Sequence, residues 1–244
     1  MSNILVIIQA RVGSTRLRGK VLKVLGDRTV LGHVINRCKA IPSVNEVMVA
    51  TTTLEQDDAI CNEAAINNVN CYRGNEQDVL SRYYEAAVGS QADAIVRITS
   101  DCPLLDPNIV EALICFFYEQ RCDYARVGLD VLPRGLDAEI FTFGTLQQAH
   151  ERSTSEYERE HVTPYIIQNS DKFNVKVFRD QDADVRDSLY RLTLDTIEDW
   201  NFITRLYNEL YKGKIFGWKE VKKLLEANPE FVLLNAHVEQ KTAP

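Results

Sequence analysis

The sequence lacks the features that mark several common classes of protein. Its 244 residues carry a formal net charge of −7, which argues against a general nucleic-acid binder, because such proteins usually present a basic surface. No apolar run approaches the roughly 18 residues of a membrane span. The first residues lead straight into a predicted strand, without a signal-peptide pattern. We therefore expect a cytoplasmic protein whose partners include neither nucleic acid nor a membrane.

The cysteines lack the spacing of a metal or redox motif. No Cys-x-x-Cys pair occurs among the six cysteines, which lie on predicted helices and strands or at their ends. Cysteines in such places are typical of small apolar core residues in a reducing compartment, and a zinc or redox site is the alternative. The six positions are Cys38, Cys61, Cys71, Cys102, Cys115 and Cys122.

The chain does contain a basic loop directly after its first predicted strand. Ile4 to Ile8 form an unbroken apolar run, as in a strand buried on both faces of a parallel sheet. Between Ala10 and Gly26 there are five basic residues and no acidic one. Gly13 and Gly19 allow tight turns, and backbone N–H groups together with cations suit a polyanion. A surface loop with solvated charges is the alternative.

This loop is not a P-loop. That motif has four residues between its glycines, followed by Lys and a hydroxyl residue. Here five residues separate Gly13 from Gly19, and Val21 follows Lys20. The interpretation of the chain as an ATPase or a kinase therefore loses its main support.

Predicted strands and helices alternate through the first half of the chain. This alternation predicts an α/β fold with a parallel, doubly wound sheet. The predicted strands are Ile4–Ile8, Val47–Ala50, Val69–Tyr72 and Ala94–Ile98, and the predicted helices are Val30–Ala40, Asp57–Ile66, Asp78–Val88 and Pro107–Gln120.

The residue pattern of the second half of the chain predicts a region of mixed strands and helices. Residues 1–212 are expected to form one α/β domain, with an extension over about 129–180, and residues 213–244 a C-terminal helix and tail. The predicted strands are Tyr124–Val127, Ala138–Phe143, Phe173–Phe178 and Tyr190–Leu194; the predicted helices are Leu146–Arg152, Tyr157–Asn169 (broken near Pro164), Thr196–Tyr211 and Val221–Ala227.

Two aspartates follow predicted strands. Asp101 comes after the fourth strand, and Asp195 follows Tyr190–Leu194. Mg²⁺ prefers one or two carboxylates together with phosphate oxygens and waters, so this pair is a candidate metal site facing the basic loop. Alternatively, Asp101 begins a turn before Pro103, and Asp195 helps to cap the next helix.

Several segments resemble one enzyme family. Residues 9–20, Gln-Ala-Arg-x-Gly-Ser-Thr-Arg-Leu-x-Gly-Lys, are similar to the nucleotide-binding signature of cytidylyltransferases that make CMP-activated acidic sugars. Residues 73–84, 97–104, 133–139 and 157–165 resemble the spore-coat-polysaccharide (SpsF-type) group of that family. The likeness extends from about residue 3 to about residue 240.

The resemblance implies a Rossmann-like nucleotidyltransferase fold of the nucleotide-diphospho-sugar transferase type. It has a mostly parallel central sheet and a small mixed β/helical extension on the sugar side. The implied reaction transfers CMP from CTP to a small acidic sugar, with release of pyrophosphate, in surface polysaccharide synthesis. The resemblance also implies Mg²⁺ as cofactor and a homodimer.

The resemblance assigns roles to particular residues. Asp101 and Asp195 would bind the metal, and Arg11, Lys20 and Asp101 would carry catalysis. The base would be recognised at the ends of the second and third strands, where Ala50 also lies. The nucleotide-binding set is Gln9, Ala10, Arg11, Gly13, Ser14, Arg16, Lys20, Thr51, Thr52 and Arg73; the sugar-binding set is Arg134, Asp137, Glu139, His161 and Tyr165.

Two other functions stay open at this point. A glycosyltransferase that binds a finished nucleotide sugar usually holds its metal through an Asp-x-Asp pair, but Asp182-x-Asp184 lies in a polar loop with no strand before it. A non-catalytic nucleotide-binding module is the other alternative.

The chain also departs from the family pattern at Arg18, where proline is common. Its sugar segments differ from those of the neuraminate and octulosonate enzymes, so their substrates do not transfer.

Overall fold

A seven-stranded sheet organises residues 2–239, the part of the chain that the computed structural model describes. Four neighbouring strands are parallel, and the remaining three form a mixed half. In sheet order the strands are β5 (Asn70–Gly74), β4 (Glu46–Thr52), β1 (Ile4–Gln9), β6 (Ala94–Thr99), β8 (Glu139–Thr142), β7 (Tyr124–Val127) and β9 (Val175–Phe178); β2 (Val24–Leu25) and β3 (Arg28–Thr29) make a separate small hairpin.

Helices cover both faces of the sheet. Along β1, Ile4, Val6 and Ile8 contribute to one core cluster, whereas Leu5 and Ile7 contribute to the other. This burial on both faces explains why the strand is apolar without interruption. The helices are α1 (Val30–Lys39), α2 (Asp58–Ile66), α3 (Val79–Val88), α4 (Pro107–Glu119), α5 (Phe143–Arg152), α6 (Glu156–His161), α7 (Pro164–Gln168), α8 (Ile197–Leu210) and α9 (Trp218–Ala227).

The C-terminal helix packs against the main core. Trp218, Val221 and Leu225 of α9 are buried in the same cluster as β1 and α1, together with Phe231. Asp106 joins the amino ends of two helices, because it caps α4 and accepts a 2.7 Å hydrogen bond from the Trp218 amide. The last part of the predicted tail, residues 240–244, lies outside the described residues.

The predicted parallel α/β sheet is confirmed, but the predicted strand Tyr190–Leu194 is wrong. This segment is extended and makes only one isolated bridge, between Arg191 and Arg134. Its backbone amides bond to loops instead of a strand: Leu192 donates to the Arg134 carbonyl at 2.7 Å, and Leu194 to the Asp101 carbonyl at 2.8 Å. The apolar side chains that suggested a strand, Leu192 and Leu194, are fully buried in the main core cluster.

The predicted break near Pro164 is confirmed. It separates α6 from α7 and centres on Val162, which has a φ of 73° and ψ of −54°. None of the helices within residues 2–239 combines the length and apolar character that crossing a bilayer requires.

Candidate active site

The basic loop lies at the carboxyl ends of the parallel strands, where open α/β sheets usually bind ligands. It leaves β1 at Ala10, whose amide donates to the Ala50 carbonyl of β4 at 3.1 Å. Asp57 anchors the next turn: its carboxylate accepts from the Val12 amide at 2.7 Å and from the Thr52 hydroxyl. Asp57 is fully buried. The loop is therefore tied to the end of β4 before its basic part begins.

The loop then turns back toward the sheet at Gly19. This residue has a φ of 65°, a left-handed conformation that glycine adopts without steric cost. The Gly19 amide donates to the Val12 carbonyl at 3.3 Å, closing the loop on itself. Lys20 follows in a short 3₁₀ turn, Lys20–Leu22, with Val21 buried beneath it. The turn directs the Lys20 side chain toward the two predicted aspartates.

The ammonium group of Lys20 joins Asp101 and Asp195. Its Nζ atom lies 2.8 Å from Asp101 Oδ2, 2.8 Å from Asp195 Oδ1 and 2.6 Å from the Leu194 carbonyl oxygen. Burial alone would lower the pKa of Lys20, but the two carboxylates outweigh burial and raise it above its ordinary value. Lys20 is therefore charged, and the two aspartates converge on one point.

Asp195 is held by two further cations. Arg16 Nη2 lies 3.0 Å from Asp195 Oδ1, and Arg191 Nη2 lies 2.7 Å from Asp195 Oδ2. Burial favours the neutral acid, yet Lys20, Arg16 and Arg191 together lower the pKa of Asp195 below its ordinary value. Asp199 in turn orients Arg191, because Asp199 Oδ1 lies 2.9 Å from Arg191 Nε.

Sequence reasoning missed four residues of this site: Asp57, Arg191, Asp199 and Asn235. Asn235 donates to the Arg191 carbonyl and to Asp199 Oδ1, each at 3.0 Å, so the C-terminal segment closes the network. For Asp199 the sequence gave one signal, the spacing of Thr196 and Asp199, which is typical of a capping box at the start of a helix. That box does form between Thr196 and Asp199.

The convergent oxygens fit a hard cation. Two carboxylates and one carbonyl surround the position of the Lys20 ammonium, and Mg²⁺ takes one or two carboxylates when phosphate oxygens and waters supply the rest. Within residues 2–239 no cluster of three or more histidine, cysteine, aspartate or glutamate side chains is placed to bind a metal. Asp101 and Asp195 could therefore hold Mg²⁺ only together with ligand phosphates and water.

The other nucleotide-site candidates fall into two groups. Arg11 lies on the rim, about half-exposed, with Nη1 3.5 Å from Glu76 Oε1. Arg73 is instead committed to the protein: Nε and Nη2 donate to the carbonyls of Thr52 and Leu54, each at 2.9 Å, and Nη1 lies 2.6 Å from Asp58. The Arg73 guanidinium thus fixes the end of β4 with three of its five N–H donors.

Two sugar-site candidates lie close to Asp101. Asp137 accepts a 2.6 Å bond from the Gly135 amide, and burial, reinforced by the charge of Asp101, raises its pKa. Arg134 Nη1 lies 3.8 Å from Asp137 Oδ1 and is half-exposed. Arg134 also lines a cleft of about 240 Å³ beside Tyr190, Arg191 and Asn235.

The remaining sugar candidates are packed within the protein. Glu139 pairs with Arg97, and its Oε1 accepts from the Tyr124 hydroxyl at 2.5 Å and from the Thr163 hydroxyl at 2.9 Å. Burial opposes the charge on Glu139, but these partners lower its pKa below the ordinary value. His161 contacts Tyr157 in a tilted arrangement, with ring centroids 4.6 Å apart, and Tyr165 meets Phe173 edge to face, with centroids 6.2 Å apart.

The Asp-x-Asp pair lies apart from this site. Asp184 caps the 3₁₀ turn Val185–Leu189 and is bound by Arg186 Nη2 at 2.6 Å. Lys219 lies 3.6 Å from Asp182. β9 ends at Phe178, four residues before Asp182, so neither acid directly follows a strand, and the pair lacks the position that a glycosyltransferase metal site requires.

Three comparisons relate the chain to known proteins. The cytidylyltransferase family model matches residues 5–231. The chain is 31% identical to the spore coat polysaccharide biosynthesis protein SpsF of Bacillus subtilis, over 94% of this chain and 97% of that protein. A cytidylyltransferase structure from Leptospira borgpetersenii superimposes over the whole of both chains, with a TM-score of 0.89 and 32% identity. The structure of a CMP:2-keto-3-deoxy-manno-octonic acid synthetase complexed with CTP shares the fold at 17% identity, with a TM-score of 0.68 over 85% of this chain and 99% of that one.

Proposed function

The chain belongs to the cytidylyltransferase family, a group of nucleotidyltransferases, and from this premise we propose that it transfers CMP from CTP to an acidic sugar. The observation that carries the proposal is the convergence of Asp101 and Asp195 on Lys20 at the end of a basic loop. A metal-dependent transfer of a nucleotidyl group needs this combination, because the substrate brings several phosphate charges to one place.

In the proposed reaction a sugar hydroxyl oxygen forms a bond to the α-phosphorus of CTP. The bond from that phosphorus to the bridging oxygen breaks, pyrophosphate leaves, and the hydroxyl proton passes to solvent. Lys20, Arg16 and Arg11 would bind the phosphate oxygens and stabilise the charge on the leaving group. Each close cation–phosphate pair gives about 4 kcal/mol of gross Coulomb energy at an effective dielectric near 20, before desolvation is counted.

Asp101 and Asp195 would hold Mg²⁺ in this scheme, and the Lys20 ammonium, which lies between them in this structure, would turn to the phosphates. When bound, the metal would supply a positive charge against the phosphate oxygens. Arg16 and Arg191 flank Asp195 at 3.0 and 2.7 Å, which fixes the direction of its carboxylate. Preorganisation of this kind accounts for much of the catalysis in phosphoryl transfer.

Arg134 supports an acidic acceptor. Its guanidinium is half-exposed, lines the cleft next to Arg191 and lies on the Asp101 side of the site. A guanidinium in that place suits the carboxylate of an acidic sugar. The names of two similar proteins agree with this choice. SpsF is named for polysaccharide biosynthesis, and the other protein is named as a synthetase for CMP:2-keto-3-deoxy-manno-octonic acid.

The test measures pyrophosphate release with each of four nucleoside triphosphates and Mg²⁺, against acidic sugars, their neutral counterparts and sugar phosphates. We expect release only with CTP and an acidic sugar. Release that does not depend on the acceptor would contradict the transfer step. Consumption of a nucleotide sugar without pyrophosphate would point to glycosyl transfer instead.

A further inference from the structure

Two of the six cysteines meet in the folded protein. Cys61, on α2, and Cys71, on β5, are ten positions apart in the sequence, and their Sγ atoms lie 2.6 Å apart. A disulfide bond joins its sulfurs at about 2.0 Å, so a small movement of the two side chains would bring these atoms to bonding distance. The fold therefore creates a pair of neighbouring thiols that the cysteine spacing does not indicate.

The thiol pair arises from the way α2 packs along β5. Residues three apart on a helix share a face, as do residues two apart on a strand. Asp58 and Cys61 therefore lie on one face of α2, and Cys71 and Arg73 lie on one face of β5. These faces meet in two contacts: Arg73 Nη1 lies 2.6 Å from Asp58 Oδ1, and the two sulfurs touch. An ion pair and a thiol pair thus join the same two elements.

The surroundings of the pair allow it to react. Cys61 and Cys71 are both partly exposed, which gives a small reagent in solution access to them. The Arg73 guanidinium is close enough to both thiols for the three groups to interact electrostatically, and a neighbouring cation favours the thiolate, the form that attacks a disulfide. Burial, together with the contact to Cys61, raises the pKa of Cys71. Cys71 therefore keeps its proton, and Cys61 is the thiol that attacks first.

The elements that the pair joins are weakly buried. β5 is the edge strand of the seven-stranded sheet, and its residues from Asn70 to Arg73 are exposed or only partly buried. The buried residues of α2 are Ile60 and Ala64. Edge elements with few buried side chains open more easily than the centre of a sheet. A covalent bond between α2 and β5 would therefore act where the fold is held least firmly.

We propose that Cys61 and Cys71 form a reversible disulfide by exchange with a small-molecule disulfide, and that this bond ties α2 to the edge strand β5. In the first step the Cys61 sulfur bonds to one sulfur of the reagent, the reagent S–S bond breaks, and one thiol leaves with the proton of Cys61. In the second step the Cys71 sulfur bonds to the Cys61 sulfur, the mixed disulfide breaks, and a second thiol leaves with the proton of Cys71. Two protein thiols are oxidised, and one reagent disulfide is reduced to two thiols.

The experiment treats the native protein with oxidised glutathione, blocks the remaining thiols and maps the disulfides by mass spectrometry. A protease that cleaves after glutamate separates the two cysteines at Glu63. We expect a peptide pair linked through Cys61 and Cys71 in wild type, and its loss on treatment with dithiothreitol. Cys71→Ser should keep glutathione on Cys61, because the second thiol is missing. Cys115→Ser, which removes an exposed cysteine on α4, is the matched control and should form the same linked pair as wild type.

Thermal unfolding measures whether the bond holds the two elements together. A disulfide that closes a loop of this length restricts the unfolded chain, so oxidised wild type should melt roughly 5 °C or more above the reduced protein. Amide hydrogen exchange along α2 should become slower, and Cys61→Ser should show neither change. Free thiols at both positions after the treatment would overturn the proposal, as would a cross-link that leaves the melting temperature unchanged. No step involves a nucleotide, so this result does not depend on whether the protein releases pyrophosphate.

Discussion

At the scale of single residues, Lys20 determines the electrostatics of the site. Its ammonium lies between two carboxylates that belong to distant parts of the chain. Without that charge Asp101 and Asp195 would face one another as like charges, and the phosphates would lose a cation that is already in place. Lys20 therefore contributes both to the order of the free site and to the binding of phosphate.

Replacing Lys20 by alanine tests this dual role. We expect pyrophosphate release to fall at least about a hundredfold, comparable with the loss of one preorganised charge-stabilising donor. The matched control is Arg18→Ala, which removes an exposed cation from the same loop. Turnover of Lys20→Ala close to that of Arg18→Ala would contradict the assigned role.

Asp101→Asn tests the metal site. The amide keeps the shape of the side chain but removes the charge that a hard cation requires. We expect the Mg²⁺ concentration for half-maximal pyrophosphate release to rise at least about tenfold, because one close charge–charge contact with the metal is lost. A Mg²⁺ titration identical to that of wild type would show that Asp101 is not a ligand.

At the scale of elements, two buried acids join segments that are distant in sequence. Asp57 ties the basic loop to the end of β4 through Val12 and Thr52. Glu139 ties β8 to β6, β7 and the segment before α7, through Arg97, Tyr124 and Thr163. Both acids stabilise the frame on which ligand-facing groups are held.

Asp57→Ala should release the loop without removing any loop residue. Because the Val12 amide loses its acceptor, we expect hydrogen exchange at Val12 to Ser14 to become faster, and CTP to raise the melting temperature less than in wild type. Asp58→Ala, a neighbouring substitution that spares the loop contact, is the control. Equal protection of the loop in both variants would show that Asp57 does not anchor it.

Glu139→Gln should affect both stability and its dependence on pH. Removing one partner of a buried ion pair costs about 3 kcal/mol or more, because Arg97 stays buried without a counter-charge. In wild type the pKa of Glu139 lies below its ordinary 4.5. Its stabilising contribution is therefore present above pH 4.5 and is lost as the pH falls below that value.

Urea unfolding of wild type and Glu139→Gln at pH 7 and at pH 3 measures this contribution. The difference in unfolding free energy between the two proteins should be smaller at pH 3 than at pH 7. A difference that is the same at both values would show that folding does not lower the pKa of Glu139.

At the scale of the whole molecule, one sheet brings together contributions from nearly the full length of the chain. The site uses the loop after β1, the turn after β6, the segment before α8 and the C-terminal Asn235.

The homodimer implied by the resemblance stays a prediction, which light scattering tests. We expect twice the 27.8 kDa of one chain, and a mass of one chain at micromolar concentration would contradict it.

The amino-acid sequence specified those elements whose signals are local. Apolar runs marked β1, β4 and β6, helical periodicity marked α1, α3 and α4, and the charge pattern marked the loop from Ala10 to Gly26. These signals depend on neighbouring residues, so no knowledge of the rest of the chain was needed. Asp101 and Asp195, 94 positions apart, were paired because each follows a predicted strand, and the family resemblance strengthened that pairing.

Contacts between distant segments settle which polar groups bond within the protein. Arg73 and Glu139 stay predicted ligand residues, and the structure adds the hydrogen bonds and ion pairs by which the protein orients them. Arg82 gave no local signal and has buried donors without a partner within residues 2–239. The false strand Tyr190–Leu194 has the same origin, because its backbone partners come from loops around Arg134 and Asp101. Hydrogen-bond partners and buried charges are set by contacts between distant segments, and no local pattern specifies those contacts.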